Sequence, residues 1–318
     1  MLRFFVRRLI GLLFVMLGVT FITFILGYLA PGDPIKAMMG KHFDLHTWQI
    51  LRHTYGFDLP WYEQYFQFLD HLVHFDLGIS FYPQQRAVWD ILKDGVPISV
   101  ELAFWGMLVM LLLGIPTGIW SALKANTWVD TLHTSVALIL YSLPAFILAV
   151  FVQLLLLWVN NLGVSWPVTG WGMPWQYDWT DLQYKIVPIL TYAATGYGYY
   201  ARLTRTLMLE VLHQDYIRAA RAKGLYAHVV IYRHALRNVL LPLITVIGLQ
   251  LGLLVTGSFF IENIFNIQGI ANVTVNAVFQ QNYPVIRATA IMIALGIILG
   301  NLLADLLYSL VDPRVRIE

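Results

Sequence analysis

The sequence predicts an all-α integral membrane protein with six transmembrane helices and a sizeable helical extracytoplasmic loop. Three observations carry that prediction. Only 12% of the 318 residues are charged and 58% are apolar, where an average soluble domain is about 25% charged. Several charge-free runs are long enough to cross a hydrocarbon core of about 30 Å, which takes roughly 20 apolar residues. Lysine and arginine gather in alternate connecting segments, as the positive-inside rule requires. A water-soluble globule with mean hydropathy +0.66 could not cover its surface with polar side chains, and the same composition excludes intrinsic disorder. The net charge of +2 gives a nucleic acid nothing to hold. With no cysteine, disulfides, zinc–thiolate sites and cysteine nucleophiles are excluded.

The first span is expected at about 9–30, inside an uncharged run from Leu9 to Gly32 that follows Arg3, Arg7 and Arg8. The run is too long for a signal peptide, and Pro31 and Pro34 follow without a small-residue cleavage site, so the segment is expected to be retained. The outer loop 31–95 contains Leu51, Tyr55, Tyr62, Tyr65, Phe66, Leu69 and Leu72 at helical spacing, which predicts short helices forming a small cap. The second span, 98–122, rests on the charge-free run between Glu101 and Lys124. The third covers 131–158. It is followed by a loop carrying Trp166, Trp171, Trp175 and Trp179, residues that suit a membrane–water boundary.

The fourth span, 186–208, has an uncharged stretch of only 16 residues, and Arg202 and Arg205 are expected to snorkel. The fifth covers 239–261, with Pro242 near its start. The run 263–286 is uncharged, but nine of its residues are Asn, Gln or Thr. Ile270, Val273, Ala277 and Val278 there repeat at helical spacing, so a short amphipathic or re-entrant helix is predicted. The sixth span covers 287–310 and carries Asp305. Both termini are expected in the cytoplasm. The inner segments then hold 13 Lys/Arg in 61 residues and the outer ones 7 in 119.

Enzymatic motifs are missing. No phosphate loop, zinc helix or nucleophile elbow occurs. Glu101 and Asp305 are the acids nearest the membrane interior, and each is expected to pair with a neighbour or face water. His42, His46 and His53, with His71 and His74 at i, i+3, could offer metal ligands, but no third ligand is specified.

The segment 209–237 carries the strongest signal. Leu209, Leu212, Tyr216, Ala219, Ala220 and Lys223 share one helical face, and Gly224 ends the pattern as a C-terminal glycine does. A second short helical stretch follows through Ala235. Two helices meeting at a glycine make a compact docking knob. Arg218-Ala219-Ala220 with Gly224 four residues later resembles the E-A-A-x-x-x-G signature of ABC-importer permeases. The run D-Y-I-R-A-A-R-A-K-G-L followed by R-H-A-L-R-N-V-L-L-P resembles the dipeptide/oligopeptide branch of that family. The opening F-V-R-R-L, A-P-G-D-P at 30–34, Ser142-Leu143-Pro144 and the closing D-P-R-V-R at 312–316 agree in order along the chain. One departure lies after span five, where I-E-N-I-F-N-I-Q-G-I-A has Gln268 and Ala271 in place of the family's Pro and Gly, with Glu262, Phe265 and Gly269 matching.

The resemblance implies a type I ABC importer permease fold in a bacterial cytoplasmic (inner) membrane. It implies a second homologous permease, two cytoplasmic ABC ATPase subunits and an extracytoplasmic solute-binding protein as partners. ATP would be used by those ATPases; no cofactor and no catalysis are expected in this chain. ATPase coupling falls to Tyr216, Arg218, Ala219, Ala220, Lys223, Gly224 and Leu225. Candidate pore or gate residues are Tyr141, Ser142, Pro144 and Glu262. The branch includes carriers of dipeptides, oligopeptides, nickel chelates, glutathione and oligosaccharides, so the solute stays open. A carrier or channel working alone would need charges in mid-membrane or an inverted repeat, and an intramembrane enzyme would need a catalytic pair. None of these is found.

Overall fold

The structure, a computed structural model, describes residues 2–30, 32–39, 43–82, 86–251 and 258–311. His42 and the closing 312–316 motif lie outside the described residues. No strand occurs among those described, apart from a single bridge pairing Ile79 with Ala87.

Helix α1 (Leu2–Leu29) is followed by three short helices: α2 (Pro34–Met39), α3 (Leu45–Thr54) and α4 (Trp61–Val73). These form the cap expected from the periodicity of the outer loop. Asp33 and Asp44 start the first two: Asp33 Oδ1 accepts from Ile35 N at 3.0 Å and Asp44 Oδ2 from Thr47 N at 2.8 Å, which satisfies orphan donors of a helix N-terminus. Asp33 Oδ2 also accepts from Trp48 Nε1 at 2.7 Å, tying α2 to α3. Helix α4 lies along α1: Tyr65 and Phe68 cover the buried Phe24, and the Tyr65 hydroxyl lies 3.2 Å from Thr20 Oγ1.

Helix α5 (Val88–Leu123) begins well before residue 98 and runs through Pro97 and Pro116. The third expected span is broken. Helix α6 (Trp128–Ser142) and α7 (Ala145–Asn161) meet at 102°. Pro144 disfavours the helical region for the residue before it, and Leu143 is extended at φ −79°, ψ 123°.

Helix α8 (Trp179–Leu212) packs along α5 and against α6. Glycines set how closely α8 approaches both partners, Gly118 at the α5–α8 crossing and Gly198 at the α6–α8 crossing. A Cβ on Gly118 would collide with the carbonyl oxygen of Ala201, and one on Gly198 with that of Ala137. Neither backbone atom can move aside, so small residues are required where these helices cross.

After α8 come α9 (Asp215–Ala222), a single turn α10 (Ala227–Val229), a π-helical turn (Val230–Ala235) and α11 (Leu236–Leu251). Helices α12 (Phe259–Ile264) and α13 (Ile270–Phe279) precede α14 (Tyr283–Val311), which packs on α11 and α1. Helix α13 is the short helix expected within 263–286: Ile270 and Ala277 are buried, whereas Val278 is exposed. Among the described residues four helices are long and apolar enough to cross a membrane. The bent α6–α7 pair would make five. Helix α8 is long enough, but its many Tyr, Gly and Thr residues leave it too polar to join them on composition alone.

Candidate functional site

The coupling residues named from the sequence lie on α9 and the turn that ends it. The preceding helix stops at Leu212, and Gln214 is the N-cap of α9 with Asp215 in its first turn. That break rotates the segment relative to a continuous helix. Leu209 and Ala219 therefore do not share one face: Ile217 and Ala220 point inward and are buried, while Tyr216, Arg218, Ala219, Lys223, Gly224 and Leu225 are exposed. Ala220 is the one predicted coupling residue that faces the bundle. Ile217 was missed by a reading that carried a single helical face through His213. The acidic first turn at Asp215 was the signal of a new start.

Gly224 ends α9 in a Schellman arrangement. Its φ is +76°, its N–H donates to Arg221 O at 2.9 Å, and Leu225 N–H donates to Ala220 O at 3.4 Å. Both bonds satisfy carbonyls left over at a helix end, and the positive φ is what selects glycine. A Cβ here would meet nothing within 4 Å, so the backbone conformation alone sets the requirement. Beyond it Tyr226 and Tyr232 project into the open, and Tyr226 stacks on His228.

The inner side of this knob is continuous with the bundle. Ile217, Ala220 and Val230 share one apolar cluster with Met208 of α8, Met107 and Met110 of α5, and Val239 and Leu243 of α11. Asn238 Nδ2 also donates to the Tyr216 hydroxyl at 2.6 Å. The exposed face is thus backed by three long helices through close-packed side chains.

Two ion pairs tie the long helices together. Glu101 and Lys185 are fully buried, with Oε1 2.9 Å from Nζ. Lys185 Nζ also donates to Met173 O (2.8 Å) and Gln176 O (2.6 Å). Glu101 Oε2 accepts from Trp171 Nε1 (2.9 Å) and Trp175 N (3.0 Å). Every polar group of the pair is satisfied, so the tryptophan-rich loop is locked onto α5 and α8. Farther along α8, Arg205 forks onto Asp130 at 2.6 and 2.7 Å, and Asp130 also accepts from Ser121 Oγ and Asn126 N. Arg205 is thereby neutralised by a neighbour instead of snorkelling to water. Arg202 lies over the Tyr141 ring, 4.4 Å from its centroid.

The candidate gate residues fall into two separate places. Tyr141, Ser142 and Pro144 are exposed at the α6–α7 corner, where Ser142 Oγ donates back to Leu138 O at 2.7 Å. Glu262 is buried elsewhere. Its Oε1 accepts from Ser99 Oγ at 2.8 Å, and its Oε2 from Ala271 N (2.9 Å) and Asn272 N (3.2 Å). Ser99 Oγ in turn accepts from Ile270 N at 2.7 Å. Together they hold the N-terminus of α13 against α5.

Among the described residues no group of three His, Asp or Glu side chains is placed to hold a metal. His71 Nδ1 lies 2.9 Å from Asp76 Oδ2 and His74 Nδ1 lies 2.8 Å from Asp70 O, so each ring serves its own turn.

A family model for binding-protein-dependent transport system inner membrane components matches residues 114–317, and the N-terminal model of the same system matches 1–103. This chain belongs to that family. The permease is 33% identical over 316 residues to the glutathione transport system permease protein GsiC of Escherichia coli O6:H1, covering 99% of each chain. It is 34% identical to the dipeptide transport system permease protein DppB of Alkalihalophilus pseudofirmus, covering 99% of this chain and all of that one. In fold it matches a chain of the MetNI methionine ABC transporter, solved in inward-facing conformations, with TM-score 0.56 and 18% identity. That match covers 70% of this chain and 96% of the other. The permease is thus a multi-pass inner-membrane subunit of an ABC importer and not an enzyme.

Proposed function

We propose that this permease forms half of the translocation pathway for dipeptides or similar small peptides such as glutathione. The relatives named for dipeptide and glutathione transport align end to end with this chain, and that is the observation carrying the substrate class. A second homologous permease completes the pathway, an extracytoplasmic binding protein delivers the solute, and two cytoplasmic ATPases couple through residues 215–235 of the 209–237 loop. Six spans place both termini in the cytoplasm: α1, α5, the α6–α7 pair, α8, the segment begun by α11, and α14. Support for α8 as a span comes from its ion pairs. Lys185 and Arg205 stand about 30 Å apart along the helix at 1.5 Å per residue, about the thickness of the hydrocarbon core. Both charges are paired, and Glu101 and Ser121 of α5 meet them at the same two levels.

The mechanism is alternating access driven from outside the chain. ATP binding draws the ATPases together and α9 moves with them. Ile217 and Ala220 then pass that movement to α5, α8 and α11. Such coupling requires contacts that differ between the two states, and the exposed Tyr216, Arg218, Ala219, Lys223 and Leu225 are placed to make them.

Two substitutions test this reading. Ala219→Glu puts a charge on the exposed face of α9, and Gly224→Asp adds charge and backbone strain at its end. Both should leave membrane insertion intact while lowering co-purification of the ATPases and uptake of labelled dipeptide together. Gly224→Asn, which tolerates positive φ, should assemble better than Gly224→Asp. Normal assembly and uptake in all three would remove 209–237 from the coupling role.

A further inference from the structure

A pocket of about 370 Å³ lies where the C-terminal end of α1 and the first turns of α14 meet the cap. Its wall includes Gly27, Tyr28, Gln64 and Tyr283 beside two arginines, Arg52 and Arg287. Arg287 has no ion pair or hydrogen bond among the described residues, and its Nε is enclosed with no acceptor. What holds it is aromatic: the guanidinium lies 4.8 Å from the centroid of Phe24 and 5.4 Å from that of Phe68. Those faces favour the cation but leave its donors unused. Arg52 sits over Trp48 at 5.1 Å and makes no ion pair among the described residues. The one carboxylate in the wall, Asp33, is committed to Ile35 N, Lys36 N and Trp48 Nε1. The pocket therefore presents two guanidinium groups against one carboxylate, a net positive charge, and an enclosed Nε–H with no acceptor.

The surroundings identify the source of the missing anion. Phe21, Tyr28, Trp61, Tyr62 and Phe66 are all exposed around α1 and α4. Helix α4 reaches down α1 as far as Leu17, where Tyr65 Oη donates to Leu17 O at 3.4 Å. Below that level α1 shows Leu13 and Phe14 bare. Exposed aromatics around a cationic pocket at the end of α1, with bare apolar side chains down the rest of that helix, are the arrangement of a lipid headgroup level. We infer that this pocket binds the phosphodiester of one anionic phospholipid from the cap-side leaflet, with Arg287 as its bidentate partner and Arg52 at the rim. The acyl chains lie along the exposed face of α1. The leaflet rests on the topology proposed above; the pocket and its charge do not.

Native mass spectrometry of the full-length chain in mild detergent tests the assignment. It should retain one phosphatidylglycerol, preferred over phosphatidylcholine by about tenfold, because both lipids offer the phosphodiester but the choline ammonium of the second is repelled by the two arginines. Arg287→Gln should abolish that preference, Arg287→Lys should keep part of it, and Arg52→Gln should reduce it by about threefold. Millimolar inorganic phosphate should not displace the lipid. Unchanged phosphatidylglycerol retention in folded Arg287→Gln would overturn the site, and displacement by inorganic phosphate would reassign it to an aqueous anion. If Arg287→Gln cannot be isolated, Arg52→Gln decides, because that side chain is exposed and an unchanged preference there would count equally against the site. Uptake and ATPase assembly are not the readouts, so failure here leaves the transport reading standing.

Discussion

Lys185 shows how much one residue can commit. It is fully buried beside Glu101, and its ammonium and the carboxylate hold four further groups: two carbonyls, a backbone N–H and an indole N–H. Lys185→Met strands a buried carboxylate, and such single deletions typically cost about 3–5 kcal/mol. Glu101→Met should be equally damaging for the mirror reason. The double variant should recover only part of the loss, because the carbonyls of Met173 and Gln176 and the donors of Trp171 and Trp175 still lose their partners. Thermal unfolding of the three variants in detergent checks this; full recovery in the double variant would mean that the surrounding bonds contribute nothing. Gly224 is the opposite kind of residue. Nothing touches its missing side chain, so Gly224→Ala should cost only about 1 kcal/mol of local backbone strain. Proteolytic susceptibility of the 209–237 segment reads that cost directly.

At the scale of elements, the α5–α8 pair is the spine, and close approach at Gly118 sets its geometry, as Gly198 does for the α6–α8 contact. Gly118→Leu inserts four carbons where even a Cβ collides with backbone. The expected loss is about 1–3 kcal/mol or more from overpacking, seen as a lower melting temperature and a broadened size-exclusion peak. Gly11 offers a control, since a Cβ there meets nothing within 4 Å, and Gly11→Ala should cost nothing or stabilise slightly, by up to about 1 kcal/mol. Hydropathy made α1, α5 and α14 legible. The α6–α7 bend was not: 131–158 reads as one apolar run, and Pro144 alone does not say whether the chain kinks or turns. The start of α5 was also hidden. Residues 88–97 carry charges that end a hydropathy window but do not end a helix, as with Asp90, Lys93 and Asp94.

For the whole molecule, the charge distribution makes a topology that can be measured. A reporter fused within 43–82 should behave as extracytoplasmic, and one fused after Glu318 as cytoplasmic. A cytoplasmic signal from the cap fusion would sink the six-span reading and move the knob to the wrong side for ATPases. Within that frame the cap and the 209–237 segment occupy opposite ends of the bundle's long helices. The first is joined to α14 by Asn282, whose amide donates to Ser80 Oγ and Tyr82 O. The second is joined through the apolar cluster around Met208 and Ile217.

The sequence by itself determined the class and the family, because hydropathy, charge bias and the R-A-A-x-x-x-G run are properties of residue types and their order. It also marked Gly224, since a glycine closing an amphipathic stretch has a local reason to be there. What only the tertiary structure decided is which distant residues meet. Glu101 finds Lys185, Asp130 finds Arg205, Ser99 finds Glu262, and Arg287 finds, among the described residues, the rings of Phe24 and Phe68. Those outcomes depend on how helices far apart in the chain are docked. No local pattern records that docking, because a buried charge and an unpaired one are written with the same letter.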